Sequence, residues 1–184
     1  MSPLRPIEWN GFSKFLHWTV AVLIIAIALI GLTHDAFPTD TKRTIMGLHK
    51  AMGATVLILM IVRLIWNLLT PSPGKNQVTP AWQYMTAKLV HFGIYVGVIG
   101  QALIGWAMSS ASGRPVSFFG LFDLPALVAQ SESTADLMHE LHETVFWLLA
   151  LFIVVHIAAA IYHQVVMKDN LLARIWPGKN RPLA

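Results

Sequence analysis

Cysteine is absent from the 184 residues, and that one absence removes several chemistries together. Disulfide frameworks, thiolate metal sites, iron–sulfur clusters and haem attached covalently through C-x-x-C-H are all excluded. Charge is the second scarcity. Only 12% of residues are Asp, Glu, Lys or Arg, about half the share of an ordinary soluble protein. The deficit is concentrated in long uncharged runs, the pattern of a membrane protein rather than of a soluble core. No basic stripe points to nucleic acid, so the net charge of +4 matters through its distribution across the bilayer.

Apolar runs fill the space that charge leaves. Four stretches are long enough to cross a hydrocarbon core about 30 Å thick, which takes roughly 20 residues. They run from about Phe15 to Leu32, Ile45 to Leu69, Lys88 to Met108 and Glu143 to Met167. The expected fold is an all-α membrane protein, a four-transmembrane-helix bundle forming a single domain over residues 1–184. A cleaved signal peptide is the competing reading of the first run, because Arg5 and Lys14 precede it. Its 18 residues exceed a typical signal core, and no soluble domain follows for export.

Pro71, Pro73, Gly74 and Pro80 break the chain between the second and third spans. Gly113, Pro115 and Pro125 mark the longer link from about Ser109 to Asp136, which is expected to fold over the bundle as a small cap. Basic residues near span ends set orientation. One side carries nine: Arg5, Lys14, Arg63, Lys75, Lys88, Lys168, Arg174, Lys179 and Arg181. The other carries four: Lys42, Arg43, Lys50 and Arg114. Both termini are therefore expected on the cytoplasmic side of a bacterial inner membrane. The opposite side is net acidic, so an anionic substrate there needs its four bases to cluster.

The eight histidines are the only strong nitrogen ligands, and histidine inside hydrocarbon needs a partner or a task. His142 and His156 are fourteen residues apart, which leaves about 40° of drift and about 21 Å of rise on one helix. Both rings then project from one face of the fourth span, one near each membrane surface. By depth, His17 at the start of span one faces His156, and His49 near the start of span two faces His142. Two bis-histidine pairs stacked in a four-helix bundle are the arrangement for two haems. Ala21, Gly53 and Ala160 each follow one of these histidines by four residues, on the same helical face. They form a small-residue shelf for a porphyrin. Gly93 and Gly97 read as plain helix packing.

Arg63 follows His49 by fourteen residues and so lies at the depth of His17 and His156. A haem propionate would supply the anion it needs; snorkelling to the cytoplasmic surface is the alternative. A structural zinc site lacks ligands converging at one depth. His139 reads as a loop or helix-start residue, and His34 as a loop histidine. His163 and His91 lack partners at opposite depth. They are candidates for hydrogen-bonding a quinone at the cytoplasmic face, against the plainer reading of interfacial histidines bonded to headgroups and water.

Several segments carry a resemblance: Phe15-Leu16-His17-Trp18, Leu48-His49-Lys50-Ala51-Met52-Gly53, Leu59-Met60-Ile61-Val62-Arg63-Leu64, Leu141-His142-Glu143-Thr144, His156-Ile157-Ala158-Ala159-Ala160 and Lys168-Asp169-Asn170. Each is weak alone. In this order and spacing, over almost the whole chain, they resemble the bacterial di-haem cytochrome b561 family. The resemblance implies two non-covalent haems b, with His17 and His156 as axial ligands on the cytoplasmic side and His49 and His142 on the periplasmic side. It further implies a quinone-linked electron carrier, with ubiquinone as acceptor and a periplasmic donor. In one group of the family that donor is superoxide. The segment from Ser110 to Asp123 departs from that group.

Three functions compete on this reading. One is an oxidoreductase passing electrons from a periplasmic donor to quinone. Another is the haem-carrying subunit of a larger respiratory complex of hydrogenase or formate dehydrogenase type, serving a partner subunit. The third is a haem-free transporter or scaffold whose histidines relay protons.

Overall fold

The computed structural model describes residues 8–74 and 80–178. Four helices dominate it: α1 (Gly11–Thr33), α2 (Thr39–Leu69), α3 (Ala81–Ala111) and α4 (Glu132–Tyr162). All four are long and apolar enough to cross a membrane, so the chain is a multi-pass membrane protein. Each helix starts on a residue suited to end an extended segment. Asn10 caps α1 by accepting from the Ser13 amide at 2.9 Å, and Ser131 caps α4 by accepting from the Thr134 amide at 3.3 Å. Pro38 and Pro80 precede α2 and α3.

The helices outrun the apolar stretches that mark them. α4 begins at Glu132 rather than near Glu143, and α3 begins at Ala81 rather than Lys88. Hydrophobicity reports where a helix meets hydrocarbon, whereas caps decide where it ends. Thirty-one residues span about 46 Å, well beyond a hydrocarbon core of about 30 Å. His139 consequently sits within the exposed early turns of α4. His34 lies in a short 3₁₀ turn after α1, its Nδ1 2.7 Å from the Gly31 carbonyl.

The α3–α4 link folds back as expected of a cap. Its hairpin pairs β1 (Ser117–Phe118) with β2 (Phe122–Asp123), antiparallel, with Ser117 opposite Asp123. Phe119 and Gly120 turn the chain within a three-residue loop, with left-handed φ of 52° and 76°. β1 packs against α2, and the Trp106 indole donates to the Pro125 carbonyl at 3.0 Å. This "hairpin end" of the bundle is opposite the "terminal end", where α1 starts and α4 finishes.

Helix contacts run in chain order: α1 on α2, α2 on α3, α3 on α4. The α3–α4 seam is tight, and Gly93 and Gly97 make it so. A Cβ on Gly93 would stand 2.9 Å from Phe152, and one on Gly97 3.1 Å from Leu149. α4 has no comparable backbone contact with α1 or α2 among the described residues. The bundle is thus an open arc, with a cleft between α4 and the α1–α2 pair. Midway along the cleft a layer of Val20, Val56, Met60, Val98 and Leu149 brings all four helices together. Leu149 is seven residues from both His142 and His156, so this plug divides the cleft into two chambers.

At the terminal end the segment after α4 straps the arc. The Trp18 indole donates to the Ile175 carbonyl at 3.0 Å, and the Trp9 amide to the Arg174 carbonyl at 3.1 Å. Arg174 in turn donates to the Gly74 carbonyl at 2.7 Å. Burial pushes the Arg174 guanidinium down from its ordinary value, and the Asp169 carboxylate opposes that shift. Arg5, Lys75, Lys179 and Arg181 lie outside the described residues.

Candidate functional site

Each chamber holds a pair of facing imidazoles. At the terminal end the rings of His17 on α1 and His156 on α4 have centroids 6.2 Å apart and planes at 71°. At the hairpin end His49 on α2 and His142 on α4 stand 6.3 Å apart with planes at 67°. Two imidazoles trans on one metal, with metal–nitrogen bonds of about 2.0 Å and about 1.2 Å from nitrogen to ring centre, put ring centres roughly 6.3 Å apart. Both pairs bridge the cleft, where no helix backbone intervenes. No cluster of three or more His, Cys, Asp or Glu side chains suited to a bare metal ion exists among the described residues. The donor set and the open cleft therefore fit a planar cofactor held between two histidines at each depth.

The surroundings of the ring nitrogens differ between the chambers. His49 Nδ1 lies 3.1 Å from the Ile27 backbone carbonyl, so Nδ1 carries the proton and Nε2 is free to ligate. His142 Nδ1 is buried without a hydrogen-bond partner among the described residues. The Gln101 side chain holds α4 in place, its amide donating to the His142 carbonyl at 2.9 Å.

Side chains supply the contacts at the terminal end. Arg63 Nη2 lies 2.9 Å from His17 Nδ1. Arginine only donates, so Nδ1 accepts there. The Arg63 guanidinium also lies 5.5 Å from the Tyr95 ring centre, and Asn67 donates to the Tyr95 hydroxyl at 2.7 Å. Arg63 makes no ion pair with a carboxylate among the described residues. It points inward to the histidines, against the snorkelling alternative.

His91 lies beside one of the paired histidines: its ring centroid is 5.1 Å from that of His156. α3 leans on α4 through the glycine seam, and that brings the third turn of α3, with His91, beside His156. His163 is buried, and its Nδ1 lies 2.7 Å from Asp169 Oδ2. A π-helical turn over His163–Met167 and a left-handed Lys168 swing Asp169 back under the ring. Tyr95, Asn67, Gln101 and Asp169 carry no spacing signal that would have marked them, because each acts through contacts between helices or across a turn.

The four bases of the hairpin end do not form one patch. Lys42 is paired with Asp35. Lys50 reaches the Arg114 backbone carbonyl at 3.5 Å, so these two basic residues come together at the hairpin end.

Four membrane-spanning helices carrying matched imidazole pairs at two depths define a class, the membrane-embedded b-type cytochromes. The chain belongs to the prokaryotic cytochrome b561 family, whose description matches residues 8–178. Cytochrome b561 homolog 1 of Escherichia coli is 33% identical over 91% of this chain and 98% of its own length. Cytochrome b561 homolog 2 of the same organism is 27% identical, covering 92% of each chain. A protein described as a probable superoxide oxidase of Yersinia pestis is 30% identical over 89% of this chain and 93% of its own. The family carries haem b, and its function is transmembrane electron transfer.

Proposed function

We propose that this chain holds two haems b, one between His17 and His156 and one between His49 and His142, and carries electrons from a periplasmic donor to membrane quinone. The observation that carries this reading is the pair of ring separations, 6.2 and 6.3 Å, at two depths of one cleft. Haem b, when bound, supplies one-electron chemistry at its iron; everything else is the work of the protein. Without cysteine the haems are held by ligation and packing alone. The terminal end faces the cytoplasm of the inner membrane, following the base asymmetry.

Ligation by His17 Nε2 requires the proton on Nδ1. Arg63 then needs a different acceptor, and a haem propionate is the carboxylate the cofactor brings. The quinone site lies at the terminal end. Quinone reduction takes two electrons and two protons, so the site must join a haem to proton donors from the cytoplasm. With its Nδ1 committed to Asp169, His163 takes up protons at Nε2 and passes them to quinone oxygen. His91, beside His156, is the second candidate contact. A pocket of about 270 Å³ lined by Gly11, Lys14, Phe15, Trp18, Thr19 and Pro177 opens at the same end and suits an amphipathic ring.

Superoxide fits as the one-electron donor, since a relative is described as a probable superoxide oxidase. Two superoxide ions would give two electrons and two molecules of oxygen for each quinol formed, with Lys50 and Arg114 as the attracting charges. The alternative is a subunit that conducts for a partner protein. It draws support from the hairpin, whose Leu121 and Phe122 are 77% and 55% exposed. Quinone reduction by the purified protein, with superoxide and no partner, separates the two. In that assay His163→Ala should slow quinone reduction by at least about tenfold, the scale of losing a proton-transferring group, with both haem spectra intact. Undiminished reduction by that variant places the quinone elsewhere.

A further inference from the structure

Two glycines outside the ligand helices' own motifs lie directly against the hairpin-end rings. A Cβ on Gly31 of α1 would stand 3.3 Å from His49 Cε1 and 3.7 Å from its Nδ1. A Cβ on Gly105 of α3 would stand 3.0 Å from His142 Cε1 and 3.3 Å from its Nδ1. The carbonyl that His49 Nδ1 reaches belongs to Ile27, four residues before Gly31. On α3, Gln101 stands four residues before Gly105 and donates through its side-chain amide to the His142 backbone carbonyl at 2.9 Å. In a helix the carbonyl of residue i points toward the amide of i+4, so the side chain at i+4 covers its outer lone pair. Removing that side chain bares the lone pair to a neighbouring helix.

We infer that Gly31 and Gly105 are positioning residues, paired notches that seat the rings of the two hairpin-end haem ligands and set their tilt. At Gly31 the notch also bares the Ile27 carbonyl that keeps the His49 proton on Nδ1. The terminal-end rings show no such glycine: neither His17 nor His156 is among the three nearest neighbours of a Cβ built on Gly11, Gly53, Gly93, Gly97 or Gly100. This inference rests on the reading of His49 and His142 as haem ligands. It also gives α3, which contributes no member of either pair, a direct role in seating one of them.

Gly105→Ala is the decisive variant, because its added methyl meets the ring of His142 at the shorter distance. The expected result is selective. Loss of such an outer-shell contact typically weakens metal binding 10- to 100-fold. The hairpin-end haem should therefore be depleted, or shifted in reduction potential and low-spin signal, while the terminal-end haem is unchanged. Gly31→Ala should act on the same haem with a smaller effect. Gly47→Ala, where a Cβ meets nothing within 4 Å, should leave both haems as they are. The readouts are haem content, redox titration and electron paramagnetic resonance of the purified protein. Unchanged spectra and potentials in Gly105→Ala overturn the inference. So does equal loss of both haems, which would make the glycine a general packing residue. If His142→Ala retains the hairpin-end haem, the ligand assignment itself fails, and that is a separate outcome.

Discussion

At the hairpin end, His49 Nδ1 meets a backbone carbonyl and the His142 ring lies against Gly105; at the terminal end, His17 Nδ1 meets Arg63 and His91 lies beside His156. The ring separations are nearly equal, yet the two environments are made of different material. A main-chain carbonyl inside a helix neither titrates nor swings. An arginine, a tyrosine and a third histidine can exchange protons, change partners and answer an anion. The hairpin-end chamber is built to hold one state of its ligands, and the terminal-end chamber is built to accommodate change. Under the proposed function, proton-coupled chemistry with a quinone belongs at the second.

The largest test of that contrast is removal of one ligand from each chamber. His142→Ala should abolish the hairpin-end haem and leave the other spectrally intact, whereas His156→Ala should do the reverse, unless His91, at 5.1 Å, takes over as ligand and retains an altered haem. Haem content per chain and reduced-band spectra read both outcomes. Loss of both haems from either variant would mean that the chambers are not independent.

Arg63→Leu should produce an intermediate effect confined to the terminal end. Removing a positive charge beside a haem disfavours the reduced form, so that haem's potential should fall by on the order of 60 mV, equivalent to about 1.4 kcal/mol for one electron. The hairpin-end potential should stay put. An equal shift at both haems would show a general field effect rather than a local contact. The smallest effect belongs to His139→Ala, which should leave both spectra unchanged, because His139 is exposed on the early turns of α4. A lost haem in that variant would reassign the hairpin-end ligand.

The four spans were legible because hydrocarbon thickness imposes a length that composition reports directly. The spacing of His142 and His156 was legible because a straight helix converts fourteen residues into one face and one membrane thickness. The glycine seam was also open to reading, and Gly93 and Gly97 do receive Phe152 and Leu149. What escaped lies between helices. That His91 lies beside His156 depends on how α3 leans on α4, which no single-helix periodicity encodes. Asp169 reaches His163 only because a π-helical turn and a left-handed residue reverse the chain between them. Helix ends lie outside the apolar spans, by eleven residues at Glu132, since polar turns continue a helix past the hydrocarbon that defines its span.

The open arc of helices has a consequence for how the protein comes to be made. α4 is zipped to α3 but joined to α1 and α2 chiefly by the mid-membrane plug and the strap around Trp18 and Ile175. Each proposed haem has one ligand on α4 and the other across the cleft, so each would act as a rivet between two separately woven parts. Binding energy that goes into iron–nitrogen bonds is then assembly energy as well. Chains inserted during haem starvation should hold their hairpins in the bilayer with the cleft ajar, and proteases in the membrane would meet them in that state first.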